Sequence, residues 1–293
     1  MNRVFTAVLA LALILVGCGP SRQNVVVVGS KNFPEQLILG ELIAQQIEAR
    51  THLKVERRFY LAGTYICQQA MLAGRIDVYP EYTGTALTAI LKQPPLKDPD
   101  AVYEKVKQQY EQQFHFAVLP SFGFNDTFAI EIRGADARRL HLATISQAAK
   151  YTPQWRAGFG YEFMERPDGY EGLVAAYGLR FARPPLIMDL GLLDRALVNK
   201  QIDLAAGNST DGLIPVLDLA VLEDDQRYFP PYYAVSIVRE EALARHPQLR
   251  DALAPLAGKV SDEDMRALNY AVDGQHRSVT DVVREFRQKK GLH

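Results

Sequence analysis

Five aromatic residues stand at or near the ends of predicted strands: Tyr79, Tyr82, Phe128, Tyr232 and Tyr233. Taken singly, each ring reads as core; their position beside loops sets them apart. Tyr82 falls in Glu81-Tyr82-Thr83-Gly84-Thr85, which reads as a polar loop with no reason to carry core. Aromatic faces gathered around a cation are the physical solution for a quaternary ammonium group. Such a group has no N–H to donate, so π faces supply shape and attraction while a carboxylate adds only Coulomb energy. A zwitterion needs a second, cationic subsite for its own carboxylate.

The residues that would point to catalysis are missing. There is no phosphate-binding glycine loop, no His-Glu-x-x-His and no Gly-x-Ser-x-Gly. Gly158-Phe159-Gly160 lacks the third glycine of a dinucleotide fingerprint. None of the six histidines, His52, His115, His141, His246, His276 and His293, pairs with another at metal-ligand spacing. Asp262-Glu263-Asp264 follows Ser261 and fits a helix N-cap rather than a metal site. No catalytic residue, cofactor or metal is expected. Cys67 lies in a predicted helix and reads as a small buried residue, with no local base to make it a nucleophile.

The 293 residues are 48 % hydrophobic and 23 % charged, an ordinary globular composition long enough for about two domains. Thirty-three Lys and Arg balance 34 Asp and Glu, so a nucleic-acid partner is not expected. Arg3 and the apolar run Val4 to Val16 read as a secretory signal over residues 1–17, too short to span a bilayer comfortably. Leu15-Val16-Gly17-Cys18 resembles a bacterial lipobox, which predicts cleavage before Cys18, a lipid on its thiol and a short linker over 18–23. Cys67, the other cysteine, is then left without an intramolecular disulfide partner.

These residues need elements to position them. Strand patterns at Val25–Val28, Val55–Tyr60, Ile76–Tyr79, His115–Leu119, Thr127–Ile132, Leu186–Met188 and Ile202–Ala206 alternate with helical patterns. The helices include Glu35–Arg50, Ile66–Ala73, Pro99–Gln113, Tyr170–Tyr177 and Leu192–Asn199. This alternation predicts α/β layers with mainly parallel sheets. Residues 70–78, ending Arg75-Ile76-Asp77-Val78, can be laid over 196–204, ending Gln201-Ile202-Asp203-Leu204, at an offset of 126. The echo predicts two similar lobes, each presenting a loop at the C-terminal end of a strand, where open α/β sheets bind ligands.

With these features in place, the chain resembles the substrate-binding lipoproteins of osmoprotectant ABC transporters, which bind glycine betaine, choline and related compounds. The resemblance runs from Val27 to Leu292. It rests on Gly29-Ser30-Lys31-Asn32-Phe33-Pro34-Glu35-Gln36, Ile76-Asp77-Val78-Tyr79-Pro80-Glu81-Tyr82-Thr83-Gly84-Thr85, Asn125-Asp126-Thr127-Phe128, Glu165-Arg166-Pro167-Asp168-Gly169, Ser209-Thr210-Asp211-Gly212 and Phe229-Pro230-Pro231-Tyr232. It implies a two-lobed periplasmic-binding-protein fold, type II-like, with the ligand cleft between lobes. One lobe would be 24–123 plus 212–293, the other the insert 124–211. It implies an extracytoplasmic, lipid-anchored monomer that captures a betaine and delivers it to a membrane permease driven by an ATPase.

Carried over residue by residue, the resemblance implies an aromatic cage of Tyr82, Phe128 and Tyr232 with Asp126 beside it. It implies a carboxylate-binding group of Lys31, Thr85 and Arg166, with Asn32 as the alternative to Lys31. One position departs: the family usually has an aromatic just before Ser-Thr-Asp-Gly, and this chain has Asn208. The echo independently pairs Asn208 with Tyr82. An open cage loses on the order of 1 kcal/mol of cation–π attraction. The resemblance therefore leaves three readings: a glycine betaine receptor of lowered affinity, a receptor for a larger betaine such as ergothioneine or carnitine, or a sensory binding protein without transport.

Overall fold

The structure, a computed structural model, describes residues 24–292. The signal segment, the linker and Cys18 lie outside the described residues. Among the described residues the strands form two five-stranded sheets. The first contains β1 (Val25–Gly29), β2 (Lys54–Arg58), β3 (Val78–Tyr82) and β4 (Phe116–Val118). The second is built from β5 (Phe128–Arg133), β6 (Ala157–Gly160), β7 (Leu186–Met188), β8 (Leu204–Asn208) and β9 (Leu219–Leu222). The chain then returns to the first sheet with β10 (Ala234–Arg239).

The strand orders are β2-β1-β3-β10-β4 and β7-β6-β8-β5-β9. Position by position they match: an edge strand, a parallel neighbour, the strand of the sequence echo, an antiparallel strand and a second antiparallel edge. The offset of 126 holds for β3 against β8, at both bounds, and for the helices before them, Thr64–Leu72 and Leu190–Val198. The Ile-Asp pair of the echo has a structural cause. Asp77 Oδ2 accepts from the Val27 N–H (2.9 Å), and Asp203 Oδ2 from the Arg156 N–H (3.0 Å), each tying an incoming strand to its neighbour. Arg239 and Arg245 compensate Asp77; Arg133 and Arg156 compensate Asp203.

Two expectations are corrected. The sheets are not mainly parallel: β3–β10, β10–β4, β5–β8 and β5–β9 are all antiparallel, because β5 and β10 enter their sheets from the crossing segments. The second lobe also does not end at 211. Its sheet includes β9, which pairs with β5 from Ile130↔Leu222 to Arg133↔Leu219, so a division at 212 would cut a paired strand away. The return to the first lobe follows Leu222.

The helix Pro34–Arg50 packs across the first sheet, burying Ile38, Leu39, Leu42, Ile43 and Ile47. Proline at its first turn fixes φ where no N–H is needed. Near the C-terminus, Ser261 accepts from the Asp264 N–H (3.1 Å) and Asp264 accepts from the Ser261 N–H (3.0 Å), the reciprocal cap expected of that carboxylate cluster. Cys67 is fully buried and free, and burial pushes its thiol up to about 12, which makes it a core residue and not a nucleophile.

Candidate ligand-binding cleft

A cavity of about 450 Å³ lies between the C-terminal ends of the two sheets. All eight residues singled out in the sequence, Lys31, Tyr82, Thr85, Asp126, Phe128, Arg166, Asn208 and Tyr232, line it. Tyr82 ends β3 and Asn208 ends β8, so the echo places them at matching points of the two sheets. Phe128 begins β5 directly opposite Asn208. Tyr232 precedes β10, and Asn125 and Asp126 fix it. Its N–H donates to Asn125 Oδ1 (2.6 Å), and its carbonyl accepts from the Asp126 N–H (3.1 Å).

The Glu81–Thr85 segment is not a polar loop. It ends β3 and turns into a buried helical segment, all five residues being buried. Gly84 is required there, since a Cβ would stand 2.6 Å from the Tyr232 ring and 2.7 Å from the Pro231 carbonyl oxygen.

The electrostatics differ from a bare cationic clamp. Lys31 Nζ pairs with the buried Glu81. Arg166 is held bidentately by Asp168, at 2.9 and 2.6 Å, and its Nη1 donates to Thr85 Oγ1 (3.0 Å). Burial works against the Arg166 charge, but Asp168 outweighs it and keeps the guanidinium pKa raised; Arg166 in turn holds the Asp168 carboxyl below the usual range. These bonds use three of the five guanidinium N–H groups and one of three on the ammonium, so both cations retain donors. The π faces also have protein cations near them: Lys31 Nζ is 5.0 Å from the Tyr82 ring centre, and Arg166 Cζ is 5.1 and 5.8 Å from those of Phe128 and Tyr232.

Sequence reasoning missed several residues here. Phe33, Tyr65, Tyr161 and Phe163 add rings to the lining, and Glu162, Glu165 and Asp189 add carboxylates. Phe33 stacks on Tyr82 with centres 6.4 Å apart. Glu81 and Asp168 lie inside quoted motifs, one or two residues from Tyr82 and Arg166, so their signal was present but not assigned. Glu162 gave no sequence signal. It accepts from the Tyr65 N–H (3.2 Å) across the cleft, and Gly63 leaves room, since a Cβ there would meet the Glu162 carboxylate at 2.2 Å.

A smaller chamber of about 50 Å³ adjoins, sharing Phe33, Leu190 and Asn208 with the main cavity and lined also by Glu35, Asp194, Asp211, Asn269 and Asp273. Burial, and after it Asp194, pushes Asp211 up to about 7. A carboxyl raised in the fold stabilises the fold while protonated. That contribution is full below the ordinary value near 3.8 and is lost as pH rises to about 7. Asp211→Asn is therefore expected to be more stable than the parent at pH 8, by about 2–4 kcal/mol, with little difference at pH 4. Chemical denaturation at the two pH values measures this.

Two lobes of matched topology around a ligand-sized cavity define a solute-binding protein of the kind that closes on a small molecule. The chain belongs to the family described as the substrate-binding domain of ABC-type glycine betaine transport systems, which matches residues 24–289. It is 37 % identical over 277 residues to the carnitine transport binding protein OpuCC of Listeria monocytogenes, covering 94 % of this chain and 90 % of that one. It is 34 % identical over 285 residues to an ergothioneine transport permease/ergothioneine binding protein of Helicobacter pylori, covering 97 % of this chain but 51 % of that longer one. A solved structure described as a glycine betaine/carnitine/choline ABC transporter superposes with a TM-score of 0.74 at 34 % identity, over 91 % of this chain and 99 % of that one.

The family is the substrate-binding component of a transporter and not an enzyme. Such components of ABC importers work outside the cytoplasm. Among the described residues no helix is long and apolar enough to cross a membrane.

Proposed function

We propose that this chain captures a quaternary-ammonium zwitterion such as glycine betaine and delivers it to an ABC permease and its ATPase, as a monomer tethered by lipid on Cys18. The observation that carries the reading is that Tyr82, Phe128, Tyr232 and Asp126 share one cavity with two donor-bearing cations, Lys31 and Arg166. The ammonium would lie among Tyr82, Phe128 and Tyr232 beside Asp126, and the ligand carboxylate would take the remaining N–H groups of Lys31 and Arg166 near the Thr85 hydroxyl. Each protein cation carries its own counter-ion, so the ligand ammonium meets neutral pairs rather than bare charge.

A larger betaine, such as carnitine or ergothioneine, is the second reading, favoured by two observations. The cavity of about 450 Å³ exceeds the needs of a small betaine, falling within the roughly 300–1,000 Å³ of sites for larger ligands. Asn208 stands between the main cavity and the side chamber and offers amide hydrogen bonds in place of a π face. Asn208→Tyr is expected to raise glycine betaine affinity about tenfold, a further cation–π face being worth roughly 1 kcal/mol or more, and to weaken a ligand that reaches past residue 208. Calorimetric titration of both proteins with both ligand sizes tests it. Unchanged affinities would remove Asn208 from the site.

A further inference from the structure

Thr210 has one hydroxyl proton and two carboxyls to satisfy. Its Oγ1 lies 2.5 Å from Glu35 Oε2 and 2.8 Å from Asp126 Oδ1. A single O–H cannot donate in both directions, and two ionised carboxylates accept only. One of the two carboxyls must therefore carry a proton and donate it to Oγ1. The surroundings indicate which. Glu35 also accepts from the Tyr82 hydroxyl (2.7 Å) and from Asn269 Nδ2 (2.9 Å), a set of donors that suits a carboxylate. Asp126 accepts one backbone N–H, that of Thr210, at 3.3 Å. The Thr210 hydroxyl then points to Glu35, and the extra proton sits on Asp126.

We propose that Glu35, acting through Thr210, keeps Asp126 protonated in the empty cleft, and that capture of a permanent cation releases this proton. Glu35 does not line the main cavity, so it is a positioning residue that sets the charge its neighbour presents. The inference rests on the proposed capture of a quaternary ammonium. A cation in the cage favours the ionised form of Asp126, which lines the cavity; a neutral ligand of the same shape does not. The site thus selects by permanent charge as well as by shape.

The groups facing the pair come from every packed element. Glu35 is on the helix Pro34–Arg50, Tyr82 ends β3, Thr210 and Asp211 follow β8, Asn269 ends the helix Asp262–Asn269, Glu131 is on β5, and Asp194 on the helix Leu190–Val198 and Asp273 on the π-helical turn Tyr270–Gly274 line the side chamber with Glu35. Lys31 and Arg166 share the cavity but are paired with Glu81 and Asp168. Asp211 and Glu131 are carboxyls, so they oppose a second negative charge. Burial raises the Asp126 carboxyl well above the usual range, with Glu35 the next cause, and burial likewise raises Glu35.

The test is titration calorimetry with choline, which has no group that titrates between pH 5 and 8, in buffers of different ionisation enthalpy. The expected result is a buffer-dependent heat corresponding to release of about one proton at a pH below the cluster's titration, with affinity rising about tenfold per pH unit there. In Glu35→Gln, whose neutral amide removes the competing charge and leaves the burial, release and pH dependence are expected to fall well below those of the parent. If that variant does not fold, the buffer dependence of the parent protein decides. Tight binding with buffer-independent heat would overturn the proton exchange and leave the capture reading standing. Release unchanged in a folded Glu35→Gln would also overturn it. If no quaternary ammonium compound binds at all, both readings fall together.

Discussion

Arg166→Ala is expected to weaken betaine binding by at least a hundredfold and to destabilise the protein by about 3–5 kcal/mol. The two losses have different causes. Arg166 is the counter-ion of Asp168, whose side chain is 1 % exposed; without the guanidinium a carboxylate is left buried with the hydroxyls of Tyr232, at 2.5 Å, and Thr88 beside it and no opposite charge. That cost falls on the fold. The binding loss comes from the two guanidinium N–H groups that neither Asp168 nor Thr85 uses. Adding Asp168→Asn to Arg166→Ala is expected to recover most of the stability and none of the affinity. Thermal melting and titration of the single and double variants separate the effects. A single variant with parental affinity would remove Arg166 from the site.

Tyr82→Ala is expected to lower affinity at least tenfold, and Tyr82→Phe by no more than about threefold. On the proposed reading the ring is what the quaternary ammonium contacts, whereas the hydroxyl donates to Glu35 at 2.7 Å. The alanine variant also removes a ring stacked on Phe33, so its loss includes a slackened cavity wall. If the phenylalanine variant lost as much as the alanine one, the hydroxyl rather than the π face would be the operative group, and the cage would be the wrong description.

Much of the fold was legible because two short segments repeat. The helix, turn, Ile-Asp and strand at 70–78 and 196–204 gave the paired lobes and placed Tyr82 and Asn208 at equivalent strand ends. The mixed character of the sheets was not legible. β10 is buried at five of its six positions and shows no period-two alternation, and β9 is four residues long, so neither announces its direction or its sheet. The extent of the second lobe was misjudged for the same reason.

The residues lining the cleft were legible as types in motifs; their pairings were not. Nothing in the spacing of Lys31 and Glu81, 50 residues apart, shows that the ammonium meets that carboxylate. Arg166 and Asp168 are two residues apart, and there the partner was in view. The bridge from Glu35 through Thr210 spans 175 residues and joins two lobes, a contact only the folded chain creates.

The measurement that tests the central claim most directly is calorimetric titration of the protein, freed of bound ligand by unfolding and refolding. The panel is glycine betaine, choline, carnitine, proline betaine and ergothioneine. The account predicts saturable one-to-one binding of at least one of the zwitterions, and its loss in both Tyr82→Ala and Arg166→Ala. No heat from any member of the panel, with the refolded protein melting cooperatively, would contradict it and leave the cage as an inherited arrangement without its ligand.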